Sequence, residues 1–199
     1  EFKFSGRAYA GAQSVNSGDV LSGFFSVAND THIFRGFVMQ ESADDLEFPD
    51  GKITPSEYDR ERFDLGYSYA KGPHEFRIDF ARNNTKDAGT ASLPMDILSI
   101  DSDLFRSRYT FTSNSGVFTA ELSASDNEHW MTNYHLRRPP QTASLTDDPM
   151  RFRRNWAVSE NYGFTLKYEQ FADNGTWLYG LDGHFAEHRS IVTNPNAMR

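Results

Sequence analysis

The chain has 199 residues, a formal net charge of −8, 15% aromatic residues and no cysteine. The acidic balance argues against nucleic acid as the main partner, and without cysteine there is neither a disulfide framework nor a thiolate metal site. No apolar run is long enough for a membrane-spanning helix, and the opening residues EFKFSGRAYA carry no basic, apolar and small-residue leader.

Period-two alternation runs along nearly the whole chain, and helical spacing is hard to find. Segments near 2–12, 19–28 and 31–42 follow it loosely. In RFDLGYSYA, Phe63, Leu65, Tyr67 and Tyr69 oppose Arg62, Asp64 and Ser68. In HEFRIDFAR, Phe76, Ile78 and Phe80 oppose Glu75, Arg77 and Asp79. The same division recurs in DLFRSRYTFT, VFTAELSAS, YGFTLKYE and TWLYGLDGHF. This gives about nine strands.

The connections alternate short and long. AKGP (70–73), SNSG (113–116) and DNGT (173–176) read as tight turns. Polar loops are expected at 43–58, 84–102 and 132–158, with a polar tail after 188. An up-and-down outer-membrane barrel has this habit, with short turns on one side and long loops on the other. Tyr69 and Phe76, Phe111 and Phe118, and Tyr168 and Trp177 flank the three turns on the apolar faces. That is where an aromatic girdle belongs. The fold expected is therefore all-β, an antiparallel up-and-down transmembrane β-barrel fragment occupying residues 1–199. An open sheet with a lipid-facing side could not stand alone in hydrocarbon.

The strand beginning at Val117 carries the most chemistry. Its even-numbered side runs Phe118, Ala120, Leu122, Ala124, Asp126, Glu128, Trp130. Its odd-numbered side ends in Asn127, His129 and Met131. If the strand stays extended, His129 and Met131 point to one side, the polar lumen of a barrel, and Trp130 points outward. Phe118 to Trp130 spans about 40 Å along the strand, which projects to roughly 28 Å at a 45° tilt. The carboxylates Asp126 and Glu128 place the end of the lipid-facing part near Ala124. An imidazole beside a thioether suits a soft ion, copper first and Cu(I) in particular. Calcium or magnesium would choose carboxylates instead. The plain alternative is a polar lumen residue beside a gap-filling methionine.

The runs LPMDILSIDSDLFRSRYTF (93–111) and SASDNEHWMTNYHLR (123–137) resemble the barrel of TonB-dependent outer-membrane receptors. The likeness is greatest to the metal-uptake branch that includes the TonB-dependent copper receptors. These carry a stretch of the kind D-H-x-M-D-N-(aromatic)-x-L-R, and this chain reads E-H-W-M-T-N-Y-H-L-R over 128–137, with Thr132 in place of the usual Asp. The resemblance implies His129 and Met131 as metal ligands, with further ligands from a plug domain absent from this chain. It implies a barrel of about 22 strands closed by that plug, in the bacterial outer membrane among lipid and lipopolysaccharide. It also implies import driven by the TonB complex through the plug, with no bond chemistry and no resident cofactor. The cargo implied is a metal ion, copper favoured, or a metal chelate such as a ferric siderophore. Two rivals remain, a passive porin-like channel and a soluble β-rich binding module whose apolar face would pack on a second sheet.

No nucleophile elbow, P-loop, H-E-x-x-H or G-x-G-x-x-G occurs, so no enzyme is expected. HFAEH (184–188) matches a zinc-protease spacing, but that chemistry needs a helix and the segment reads as a strand. ESADDLEFPDGK (41–52) lacks EF-hand spacing and reads as a solvated loop. Arg137, Arg138, Arg151, Arg153 and Arg154 crowd the loop 137–155. They could meet an anionic ligand or lipopolysaccharide phosphates, or simply be loop charge offset by Asp147 and Asp148. Asn29, Asn83 and Asn174 head N-x-T triplets and are expected at turns.

Overall fold

The computed structural model describes residues 1–139 and 151–194. The strands are β1 (Lys3–Gln13), β2 (Gly18–Ala28), β3 (His32–Ala43), β4 (Leu46–Phe48), β5 (Gly51–Ile53), β6 (Tyr58–Lys71), β7 (His74–Ala88), β8 (Asp96–Ser113), β9 (Gly116–Thr132), β10 (Arg154–Ala172) and β11 (Gly175–Thr193). Nine of them form one sheet in the order β1-β2-β3-β6-β7-β8-β9-β10-β11, and β4 and β5 make a separate hairpin. Every pairing is antiparallel between sheet neighbours. The sheet is thus an up-and-down meander of barrel type, open between β1 and β11.

One end of the sheet carries the short turns at 29–31, 72–73, 114–115 and 173–174. Gly72 supplies the left-handed conformation needed in its turn, with φ +60°. The other end carries 14–17, 44–57, 89–95 and 133–153. Three expected loops shrink. The 84–102 segment is mostly strand, leaving 89–95 as loop. The 132–158 segment gives way to β10 at Arg154, and the tail expected after 188 continues β11 to Thr193. Above the apolar band β7 is polar on both faces, and the upper parts of β8, β10 and β11 mix residues such as Ile97, Ile100 and Val192 with polar ones, so strict alternation fades while the ladder of backbone hydrogen bonds continues. Asn83 consequently lies inside β7 rather than at a turn, whereas Asn29 and Asn174 do lie at turns.

Residues directly opposite in neighbouring strands share a face, so the register defines two surfaces. One carries Phe76, Phe105, Leu122, Phe164 and Leu181; the other carries Arg35, Asp64, Asp79, Glu121 and Asp182. The apolar surface is uncovered: Leu122, Leu181 and Phe185 are 57%, 59% and 65% exposed. Among the described residues only Ala43 and Ala88 are buried apolar side chains. A soluble sandwich would bury this face against a second sheet; among the described residues the other sheet is the two-stranded β4-β5 hairpin within the 44–57 connection, three residues to a strand and too small to cover it.

Aromatic residues gather at the short-turn end. All three expected pairs flank their turns on the apolar face; Tyr69 directly opposes Phe76 and Phe111 opposes Phe118, while Tyr168 directly opposes Tyr179, with Trp177 one row nearer the turn. The Tyr168 and Tyr179 rings stack at 6.4 Å. His74 and Tyr109 share a 2.7 Å hydrogen bond, as do His32 and Tyr67 at 2.9 Å. At the other limit of the apolar band, Arg82, Asp103, Asp126, Glu160 and Glu187 stand in one registered row across five strands. On β9 the band therefore ends at Ala124.

The polar surface is concave, with recesses of about 780 and 630 Å³. Ion pairs cross it: Arg35 and Arg77 both meet Asp79 at 2.6 Å, and Arg108 meets Glu121 at 3.2 Å.

The loops of the long-loop end are tied down individually. The Asp45 carboxylate accepts from the Ser56 and Glu57 amides at 2.6 and 3.2 Å. Burial opposes its ionisation, yet these backbone bonds, aided by Thr54 and the Lys52 charge, hold its pKa below the ordinary carboxylate value. The Gly89 amide donates to the Glu57 carbonyl at 2.8 Å. A Cβ on Gly89 would stand 2.3 Å from the Pro55 carbonyl carbon, a backbone atom that cannot swing aside. Gly89→Ala is expected to cost ~1–3 kcal/mol through overpacking, read as a lower unfolding midpoint in detergent. An unchanged midpoint would show that the two loops separate freely.

Candidate functional site at the top of β9

β9 stays extended to Thr132, so the alternation anticipated for its last residues holds. His129 and Met131 lie on the polar, concave face, both half-buried. His129 is flanked by Ile100 on β8 and Ala157 on β10; Met131 is flanked by Ile97 and Asn155. Ile97 reaches this position through a bulge. The β8–β9 register slips by one between Ile97 and Ser99, leaving Leu98 without a counterpart on β9. Bulges commonly re-aim side chains beside sites, and here Ile97 and Ile100 form an apolar wall along the pair.

The Nε2 atom of His129 is buried and has no hydrogen-bond partner. Buried polar atoms nearly always have one. An imidazole nitrogen left free in this way, beside a thioether and against isoleucines, is a soft-donor arrangement in a low-dielectric setting. Among the described residues no three His, Asp or Glu side chains converge as a metal site. His129 and Met131 offer one nitrogen and one sulfur, two residues apart on the same face of β9.

Trp130 points the other way. Its ring lies 6.1 Å from that of Trp156, and both indole N–H groups donate to the Glu128 carboxylate, at 3.0 and 2.7 Å. The Arg154 guanidinium lies 4.0 Å over the Trp130 ring. This cluster fixes the outer side of the strand whose inner side holds His129 and Met131. It also removes Arg154 from the loop group with which the sequence placed it.

The rest of the motif does mechanical work. The Asn133 side chain donates to the Arg151 carbonyl and accepts from the Arg153 amide, each at 2.8 Å, closing the base of the long loop. Arg137 grips the carboxylate of Asp96, donating through Nε at 2.6 Å and through Nη2, and it also donates to the carbonyls of Leu93 and Thr90. Asp96 is fully buried and accepts from the Thr90 amide at 2.9 Å. His135 meets Asp87 at 2.6 Å. Loops 89–95 and 133–139 are thereby bolted to the upper ends of β7, β8 and β9. Arg137 is committed to this lock rather than presented to an anionic ligand, and Arg151 lies over Phe152 at 4.8 Å. Asp147 and Asp148 lie outside the described residues. The role of Asp96 was invisible in the sequence, because its partner is 41 positions away.

HFAEH falls in β11, where extended backbone puts His184 and His188 on the polar face four residues apart. The helical geometry of a zinc protease is absent. ESADDLEFPDGK forms the end of β3, β4 and the turn into β5.

No known family's sequence profile matches the chain, and no curated protein matches it. The fold does have solved counterparts. The chain superposes on the structure of the copper transporter OprC with a TM-score of 0.83 at 18% identity, over 99% of this chain and 32% of that one. It therefore spans about a third of the length of the structure it matches, and shares with it a fold.

Proposed function

We propose that this chain is part of the barrel of a TonB-dependent outer-membrane receptor that imports a metal ion, copper in the first place. His129 and Met131 are the metal donors on the lumen wall, and the apolar face of the sheet meets lipid. The observation that carries the reading is the pair itself. An imidazole with a free, buried Nε2 and a thioether share one face at the long-loop end of an apolar-sided barrel sheet. The fold shared with a copper transporter supports it. The ligand choice excludes a hard-cation site, since neither donor is an oxygen. The barrel supplies position and selectivity. Release inward would be driven through a plug by the TonB complex.

The arginines lining the recess of about 780 Å³, Arg35, Arg62, Arg77 and Arg106, favour a second reading in which the cargo is an anionic metal chelate such as a ferric siderophore. Cu(I) binding by the full-length protein, wild type against a His129→Ala, Met131→Ala double variant, separates the two. Tight binding that the double variant loses establishes the copper site. Equal binding by both, or none by either, sinks the copper reading and leaves the chelate.

A further inference from the structure

The aromatic end of the sheet builds one side-chain unit twice. His32 and His74 each open a strand directly after a short turn, β3 after 29–31 and β7 after 72–73. By register His32 opposes Tyr69 and His74 opposes Phe111, both on the apolar face. Each imidazole reaches diagonally to the tyrosine two residues further along the neighbouring strand. Nδ1 of His32 lies 2.9 Å from the Tyr67 hydroxyl, and Nδ1 of His74 lies 2.7 Å from that of Tyr109. The rings are stacked alike in both places, 6.1 Å between centroids with interplanar angles of 22° and 25°. The ring directly opposite closes each unit, at 5.4 Å for Tyr69 and 5.1 Å for Phe111.

This bond leaves each imidazole with one free group. With the phenolic O–H donating to Nδ1, the ring proton stays on Nε2. Neither Nε2 has a hydrogen-bond partner among the described residues. Neither ring is enclosed: His74 is exposed and His32 is half-buried. Lys71 adds a charge beside them. It directly opposes His74 on the apolar face, is exposed and has no ion pair among the described residues. The strand acids of this end, Glu75 and Glu169, fall on the opposite face. The exposed band of Phe34, Leu65 and Phe80 begins next to these groups. Fixed N–H donors and an ammonium at the border of an uncovered apolar face suit a ligand with an anionic oxygen at one end and hydrocarbon at the other.

We infer that His32, His74 and Lys71 bind the phosphate groups of membrane phospholipids at the short-turn border of the sheet. The phosphodiester meets the donors and the acyl chains lie along the apolar band. The inference rests on the barrel reading above and deepens it by naming the headgroup chemistry and the residues that hold it. His32 and His74 lie two strands and one row apart, about 12 Å between Cα atoms. That is too far for one phosphate, so each serves its own lipid.

The test titrates the full-length receptor, delipidated in a non-ionic detergent, with two lipids of identical chains. One is dioleoylphosphatidylglycerol; the other is a galactosyl dioleoylglycerol, which has no phosphate. Bound lipid is counted by native mass spectrometry. A His32→Phe, His74→Phe double variant keeps both rings against their tyrosines and deletes the N–H donors. It should bind the phospholipid about tenfold more weakly and the glycolipid as wild type does. Lys71→Gln, at an exposed position, should weaken the phospholipid alone by about fivefold, and it carries the test if the double variant does not fold. Inorganic phosphate at equal concentration should displace none of the phospholipid, since it has no chains for the band. Unchanged phospholipid binding in the variants, equal loss of both lipids, or displacement by phosphate alone would each overturn the inference while the barrel reading stands. A wild-type protein that stays monodisperse without detergent and takes up neither lipid would overturn both.

Discussion

Arg137→Met is expected to loosen the upper end of β9 and to cost about 3 kcal/mol of stability. Asp96 is wholly shielded from solvent, whereas the Arg137 side chain keeps 20% of its surface. The figure is therefore set at the lower end of what breaking a buried ion pair costs. Most of that cost is the carboxylate left behind, which would retain the Thr90 amide as its donor, the Thr90 hydroxyl being turned to the Met95 carbonyl. Arg137→Lys should rescue little, since an ammonium cannot serve the carboxylate and the Leu93 and Thr90 carbonyls with one planar fork. Hydrogen exchange would locate the effect: amides of 89–95 and 133–138 should open, while those near the 114–115 turn should not. Protection unchanged in the upper segments would mean that the lock carries no stability. If the lock does hold the strand end, metal affinity should fall along with it, because His129 and Met131 would lose their fixed spacing.

The second large effect concerns selectivity. Met131→Leu keeps an apolar side chain of similar size and deletes only the sulfur. Thioether donors select Cu(I), whereas imidazole serves copper in both oxidation states and zinc as well. Cu(I) affinity should therefore drop by about tenfold or more, the least that loss of even an outer partner costs a metal site. Binding of Cu(II) or Zn²⁺ should change little. A uniform loss across the three ions would point to disturbed packing against Ile97 instead of a lost ligand. Cu(I) binding identical to wild type would remove Met131 from the site.

Much of the sheet was legible in the chain. The alternation of Phe76, Ile78 and Phe80 against Glu75, Arg77 and Asp79, with a Gly-Pro turn before it, is sufficient to place β7 and its faces. The extensions of the strands were not legible. Arg82, Asn84 and Lys86 sit on the same face as the phenylalanines but beyond the apolar band, where water serves both sides and hydrophobicity no longer alternates. The orientation of His129 and Met131 followed from simple strand parity. Their surroundings did not, because the slip at Leu98 and the pairing of Asp96 with Arg137 depend on register between distant segments.

The nine-stranded meander has one more consequence, which is a matter of direction and count. β1 and β11 run the same way, since eight reversals separate them. They also differ in length, 11 residues against 19. Joining them would make a lone parallel seam and leave much of β11 with unanswered amides and carbonyls. In a uniformly antiparallel cylinder the gap between them takes an odd number of additional strands. The strand added beside β11 would then pair along its full 19 residues, and only that pairing answers the amides and carbonyls on its free edge.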